Sequence, residues 1–179
     1  MEENIRPVVT PSEMDASLDT IRENMVQLLP RLRRYAIALT GSVADGDDLV
    51  QDAVERALKS LHQWEPGTRL DSWMFRIAKN RFIDTRRAAH RAQMVAIDAP
   101  EEAAAVATDG VREMESRLAL LKVNEAMQTL PPDQRQAVAL VLVDGLSYRD
   151  AADILEIPIG TLTSRIARAR DALAAAMEG

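Results

Sequence analysis

The sequence contains no cysteine, and this absence excludes several kinds of chemistry. A chain without thiols forms no disulfide, binds no metal through thiolates and has no redox-active sulfur. It has only two histidines, His62 and His90, which lie far apart, and neither a glycine-rich phosphate loop nor an HExxH zinc motif occurs. An enzyme is therefore the least supported class of protein, and we expect no catalytic residues, metal or cofactor.

Long apolar runs are also missing. No uninterrupted apolar stretch could cross a bilayer, and no charged N-terminal segment followed by an apolar run suggests a secretion signal. The lack of cysteine fits a reducing compartment. We therefore expect a soluble, cytoplasmic protein without a membrane span.

Positive charge is scarce overall, but it is concentrated in one segment. The net charge of -6 alone argues against nucleic-acid binding. However, residues 24–91 contain 12 basic and 8 acidic residues, whereas residues 92–116 contain 1 and 6. One stretch carries six cations and a single acid, Asp84; the cations are Arg76, Lys79, Arg81, Arg86, Arg87 and Arg91. With Asn80 among them, such a helix end suits a nucleic-acid backbone and a base edge, the alternative being a solubilising helix end.

The stretch from Ser147 to Leu173 predicts a helix-turn-helix. Ser147 and Asp150 form a capping box for the first helix. Pro158 ends the turn and starts the second helix, because proline disfavours helix in the preceding residue but fits a first turn. Glu156 occupies a turn position often held by glycine, where a left-handed conformation costs about 1 kcal/mol or more.

The second helix of this motif has two opposed faces. At about 100° per residue, one stripe should be buried; it consists of Ile159, Leu162, Ile166, Ala169 and Leu173. The other side should face outward; it consists of Ser164, Arg168 and Asp171, flanked by Thr161, Arg165 and Ala167. Small residues with arginine suit a DNA major groove, although an ordinary solvated amphipathic helix is the alternative.

Helical periodicity predicts an all-α protein with two small domains. We expect a mobile arm (residues 1–17), a first domain (18–92), a flexible acidic linker (93–110) and a second domain of about four helices (111–177). Pro30 should interrupt the first helix and leave a main helix from about Arg31 to Thr40.

The next helix should open with aspartates and expose an acidic face. Asp45, Asp47 and Asp48 lie near its start, where carboxylates favour the helix dipole. The face opposite its apolar stripe carries Asp48, Gln51, Asp52 and Glu55. This face is either a binding surface or a solvated surface. A third long helix is expected from about Asp71.

Four motifs in order resemble an extracytoplasmic-function (ECF) sigma factor of bacterial RNA polymerase. They are DGDDLVQDAVERAL from Asp45, SWMFRIAKNRFIDTRR from Ser72, LPPDQRQAVAL from Leu130 and DGLSYRDAADILEIPIGTLTSRIARAR from Asp144. The resemblance covers about residues 31–173 and includes features of alphaproteobacterial general-stress sigma factors. It implies a non-enzymatic, two-domain helical protein that gives the polymerase its promoter choice.

The resemblance also implies partners and site residues. Core RNA polymerase would be bound through the beta-prime clamp helices and beta flap, with Asp45, Asp48, Gln51 and Asp52 at the clamp. The helix around Asn80, with Asp84 and the cations above, would bind the downstream (minus-ten) element and a flipped base. The upstream (minus-thirty-five) element would contact Arg149, Thr161, Thr163, Ser164, Arg165 and Arg168. The acidic linker would thread toward the polymerase active-site cleft, and an anti-sigma factor would control the protein.

Two departures and two rival functions accompany this resemblance. Thr163 stands where many relatives carry Lys or Arg, and Glu156 stands where Gly is usual, so a known upstream hexamer cannot be transferred. A stand-alone helix-turn-helix repressor would not need the N-terminal motifs. A sigma-factor mimic that captures an anti-sigma protein is usually fused to a receiver domain and loses the DNA-reading residues, whereas this chain keeps Asn80, Arg165 and Arg168.

Overall fold

The computed structural model describes residues 11–95 and 121–178, with side chains described for 19–92 and 121–176. Within these ranges the chain forms helices and no strand, which confirms the expected all-α class. The first half contains α1 (Pro11–Thr40), α2 (Val43–Lys59), a 3₁₀ turn (Leu61–Gln63) and α3 (Leu70–Val95). The second half contains α4 (121–129), α5 (Pro132–Val138) with a π turn (Ala139–Val143), α6 (Tyr148–Leu155) and α7 (Ile159–Glu178).

The first half is a three-helix arrangement around large buried side chains. Tyr35 of α1 meets Phe75 of α3 edge to face, with ring centroids 5.2 Å apart and an interplanar angle of 87°. Both rings are fully buried, and Ala53 and Ala57 of α2 allow that helix to approach. The core therefore fixes the exposed outer faces of α2 and α3.

Helix α1 is longer than the sequence predicts. It begins at Pro11, inside the predicted arm, and continues through Pro30, where an interruption was expected. Pro11 is compatible with a helix start because its missing N–H has no intrahelical role there. Pro30 is exposed, so the carbonyl that it leaves without a helical partner can face water. Residues 1–10 of the predicted arm lie outside the described residues.

Helix α3 also passes a predicted boundary. It continues to Val95, two residues beyond the expected start of the linker at Gln93. Residues 96–120, which include most of the predicted linker, lie outside the described residues. The start of α3 at Leu70 agrees with the expected position near Asp71.

In the second half, helix α5 begins at Pro132 and continues into a π turn. Asp144 donates its backbone N–H to the Ala139 carbonyl at 3.0 Å, which is the i to i−5 pattern of a π turn. Gly145 then takes a φ of +75° and redirects the chain to α6. The buried core under α6 and α7 consists of Leu140, Ile154, Leu162, Ile166 and smaller residues.

Candidate polymerase and nucleic-acid interfaces

The helix-turn-helix has the predicted cap and turn. Ser147 Oγ accepts from the backbone N–H of Asp150 at 3.1 Å and donates to its carboxylate at 2.8 Å. Glu156 has a φ of 58°, the left-handed conformation expected for a residue in glycine's usual place. Helix α7 then begins at Ile159, immediately after Pro158. These contacts confirm the local prediction from Ser147 onward.

The buried stripe of α7 is confirmed except at its first member. Leu162, Ile166 and Ala169 are buried and Leu173 is half-buried. Ile159, in contrast, is 54% exposed, so its prediction as a buried residue was wrong. The physical reason is its position in the first turn of α7, where the helix has not yet been covered by its neighbours.

The outward face of α7 has exposed, partly covered and paired members. Thr163 and Arg168 are exposed, as is Arg149 on α6, whereas Thr161 and Ser164 are half-buried. The hydroxyls of Thr163 and Ser164 donate to the carbonyls of Ile159 and Thr161, each at 2.9 Å. Arg165 pairs with Asp133 of α5 at 3.1 Å. Arg149 and Arg168 are thus the predicted upstream arginines that have no ion pair or hydrogen bond in the described residues.

The basic helix α3 is divided between engaged and exposed cations. Lys79 is buried and donates to Glu156 at 2.6 Å, and Arg76 donates to the Asp153 carbonyl at 3.2 Å. Arg81 pairs with Asp52. The exposed members are Asn80, Asp84, Arg86, Arg87 and Arg91, and the Arg86 guanidinium lies over the Phe82 ring. Among the predicted downstream-element residues, this second group is the exposed one.

The acidic face of α2 is exposed and partly tied to neighbouring cations. Ser42 caps α2 by accepting from the Asp45 N–H at 3.3 Å. Asp48 and Gln51 are exposed, and Asp52 is exposed but paired with Arg81. Asp47 pairs with Arg33 at 2.5 Å, and this hydrogen bond lowers the pKa of Asp47. Asp45, Asp48 and Gln51 are therefore the members of the predicted polymerase surface that are exposed and form no ion pair in the described residues.

The two halves pack on each other through buried polar contacts that the sequence did not predict. Arg135 of α5 is buried and donates to the Leu39 carbonyl at the end of α1 at 2.9 Å. Asn124 donates to the Gly41 carbonyl at 2.7 Å, and a Cβ on Gly41 would lie 2.5 Å from the Gln128 side chain. Gly41, with a φ of +80°, thus permits both the turn after α1 and the approach of α4.

Ion pairs complete this contact between the halves. Asp144 pairs with Arg31 at 2.7 Å, and its side chain has 0% exposure. That hydrogen bond is the main cause of a raised pKa at Arg31. Arg69 pairs with both Asp71 and Asp150, and its hydrogen bond to Asp150 lowers the pKa of that carboxyl. No short-range sequence signal could have found pairs that join residues 113 positions apart.

The described residues show no arrangement suited to metal binding. Residues 11–95 and 121–178 contain no group of three or more His, Cys, Asp or Glu side chains that could hold an ion. In the same residues, no helix is long and apolar enough to cross a membrane.

The fold and these faces define an all-helical DNA-binding protein with a helix-turn-helix, and comparison with known proteins gives its family. Residues 25–79 match the family model described as "Sigma2 domain of PhyR", and residues 120–173 match "Sigma-70, region 4". The ECF RNA polymerase sigma factor EcfG of Rhodopseudomonas palustris is 34% identical over 157 residues, 88% of this chain and 84% of that protein. The ECF RNA polymerase sigma-E factor of Escherichia coli K12 is 31% identical over 150 residues, 78% of each.

A solved structure agrees with this assignment along most of its length. The sigma factor RpoE of Bartonella quintana, in complex with the anti-sigma factor NepR, matches with a TM-score of 0.76 and 32% identity, covering 89% of this chain and 97% of that one. The chain belongs to the ECF family of RNA polymerase sigma factors, which is not a family of enzymes. Its role is accordingly in transcription initiation.

Proposed function

We propose that this protein binds core RNA polymerase through α2, reads the upstream promoter element with α7 and opens the downstream element with α3. The observation that carries the proposal is the capped helix-turn-helix, whose second helix buries Leu162 and Ile166 and exposes Arg168. A helix held in this way can enter a major groove and direct an arginine at a guanine edge.

The downstream role is supported by the exposed end of α3. Asn80 is exposed and is followed by Arg86 and Arg87, so an amide for a base and cations for phosphates lie along one helix. Asn80→Ala should spare upstream-element binding and slow strand opening, because a flipped base is available only after it leaves the stack. Permanganate footprinting of the open complex would measure this, with Asn24→Ala on exposed α1 as the control.

Binding to the beta-prime clamp helices is supported by exposure of Asp48 and Gln51 on α2. Reversing Asp48 to Lys should weaken binding to core polymerase while stability stays within about 0.5 kcal/mol of the wild type. Glu65→Lys makes the same charge change in an exposed turn and should bind normally. If the two variants bind core polymerase equally well in a pull-down, Asp48 is not part of the polymerase-binding surface.

By family resemblance, the second half would contact the beta flap.

The deciding experiment for the whole proposal is run-off transcription with core polymerase on a promoter library. We expect transcripts from a subset of promoters that share upstream and downstream elements. This result would also identify the promoter sequences that the protein recognises. The upstream hexamer cannot be inferred from relatives, because Thr163 and Glu156 differ from the residues that are usual at those positions. Absence of any transcript with active core would contradict the proposal.

We also propose that a small anti-sigma protein controls this chain by contacting both halves. A groove of about 390 Å³ supports this proposal because it is lined by Phe82, Ile83 and arginines of α3 together with Pro132 of α5. Its apolar floor and cationic rim fit an amphipathic helix with an acidic edge. The partner should co-purify with this chain and compete with core polymerase for it. Ile83→Glu should weaken binding of that partner. Val26→Glu, at an exposed position on α1, is the control and should not weaken it.

A second candidate function is that of a mimic that captures an anti-sigma protein. It is favoured by the match of residues 25–79 to the sigma2 domain of PhyR. The anti-anti-sigma factor PhyR of Bartonella quintana, solved with NepR, shares the fold at a TM-score of 0.56 and 18% identity. A mimic would bind an anti-sigma protein and yield no transcript, so the run-off assay separates the two functions.

A further inference from the structure

One ion pair in the second half joins α5 to the second helix of the helix-turn-helix. Asp133 lies in the first turn of α5, and its Oδ2 is 3.1 Å from Nε of Arg165 on α7. The two side chains are 49% and 25% exposed, so the pair lies at the surface of the second half. Because Arg165 flanks the outward face of α7, the pair lies beside the surface that is proposed to enter the major groove.

Stability gives little reason for this ion pair. Exposed pairs contribute little to the free energy of unfolding, because water screens the charges and the side chains lose conformational freedom. The helix dipole favours Asp133 at the start of α5, but this effect requires no arginine partner. The main effect of the pair is therefore on Arg165, whose guanidinium is restricted to one region beside the carboxylate.

The geometry of the pair leaves the terminal part of the guanidinium available. Asp133 makes its shortest contact with Nε, and Nη1 and Nη2 of Arg165 form no hydrogen bond in the described residues. An arginine binds a guanine edge through two N–H groups at once, so the direction of the guanidinium matters as well as its charge. Arg168, in contrast, is exposed and has no ion pair that would fix its direction in the described chain.

We propose that Asp133 is a positioning residue for promoter reading, which holds Arg165 so that Nη1 and Nη2 meet a guanine edge in the upstream element. This inference rests on the proposed function of α7. The ordering of a flexible side chain opposes binding, and the ion pair imposes part of that ordering before DNA arrives. The carboxylate also repels phosphates, which favours the use of Arg165 on a base rather than on the DNA backbone.

The test is a binding selection on randomised upstream elements, with holoenzyme reconstituted from core polymerase and the full-length chain. Arg165→Ala should lower the preference for guanine at one base pair about 5- to 150-fold. Asp133→Ala should lower the preference at that same base pair about 2- to 10-fold and leave the other positions unchanged. Glu125→Ala removes an exposed acid from α4 of the same half and should leave every position unchanged.

Two further variants separate positioning from a structural role. Asp133→Ala combined with Arg165→Ala should have the same preference as Arg165→Ala alone, because Asp133 acts through that side chain. Asp133→Glu keeps the carboxylate and should retain most of the preference for guanine. Thermal unfolding of each variant should give nearly the wild-type midpoint, since the pair is exposed.

Several results would overturn the proposal while the proposed function stands. An unchanged preference in Asp133→Ala, or equal weakening on all sequences, would limit Asp133 to a structural role. Equally stronger binding to all sequences would show that Asp133 keeps Arg165 away from phosphates. A further loss of preference in the Arg165→Ala background would show that Asp133 contacts DNA directly. If the wild-type holoenzyme selects no upstream sequence at all, the proposed function of α7 is contradicted, and this inference with it.

Discussion

The two halves of this sigma factor differ in how the cations predicted to bind DNA are paired. In the first half, the near part of α3 commits Arg76, Lys79 and Arg81 to contacts with other helices. In the second half, Arg165 is paired with Asp133, whereas Arg149 and Arg168 are exposed and have no ion pair or hydrogen bond in the described chain. The comparison shows that the number of cations on a helix does not by itself determine how many of them are free to bind an anion.

The comparison also separates residues that hold each half together from residues that face its partners. In the second half, burial separates structural from exposed residues within one helix, because α7 places Ile166 inward and Arg168 outward. In the first half, an ion pair makes this separation, because the buried Lys79 binds an acid from the other half. Substitutions can test each of these roles separately.

The largest effect is expected from Ile166→Ala. Its side chain is 2% exposed, so truncation should leave a cavity and destabilise the second half by about 2–5 kcal/mol. Binding to every promoter should fall without a change in sequence preference. Chemical denaturation would measure the loss. Ile159→Ala, at a position 54% exposed on the same helix, is the control and should change stability little.

A smaller loss, shared by both halves, is expected from Arg135→Met. The buried guanidinium donates to the carbonyls of Leu39, Gln128 and Leu130, and the variant leaves them without these donors. Destabilisation of about 1–3 kcal/mol follows from unpaired buried acceptors. Because Leu39 belongs to the other half, unfolding of the halves should also become less coupled. Calorimetry that finds a single unchanged transition would contradict this role; Arg149→Met is the exposed control.

Arg168→Ala should change recognition without changing the fold. If Arg168 reads a guanine edge, the variant loses about 1–3 kcal/mol of discrimination at one base pair of the upstream element. Binding selections on randomised upstream elements would show the relaxed position. Equal weakening on all sequences would instead identify Arg168 as a phosphate contact and pass base reading to Ser164, Arg165 or Thr161.

The smallest effect is expected from Tyr35→Phe in the core of the first half. The Tyr35 hydroxyl is fully buried and has no hydrogen-bond partner in the described part of the chain, and burial raises its pKa. Removing it should leave stability unchanged or slightly higher, because the ring contact with Phe75 remains and an unpaired polar group is lost. A clear destabilisation in urea would show that the hydroxyl is bonded in solution.

The sequence predicted local features well where neighbouring residues determine them. The Ser147 cap, the left-handed Glu156 and the helix after Pro158 each depend on a few consecutive residues, and all three are present. Pro30 was misjudged because a proline on an exposed helix surface can be accommodated when packing elsewhere stabilises the helix. The contacts between the halves could not be predicted, since Arg31 and Asp144 are brought together only by the tertiary fold.

The π turn at Ala139–Val143 has a consequence for how this chain can change in length. A π turn accommodates one residue more than an α-helical turn, so the residues after it keep nearly the same position as after an ordinary α-helical turn. Deleting the exposed Leu142 should therefore convert this segment to an α-helical turn and leave Asp144 close to Arg31. At this point the chain can lose a single residue without losing its buried ion pair.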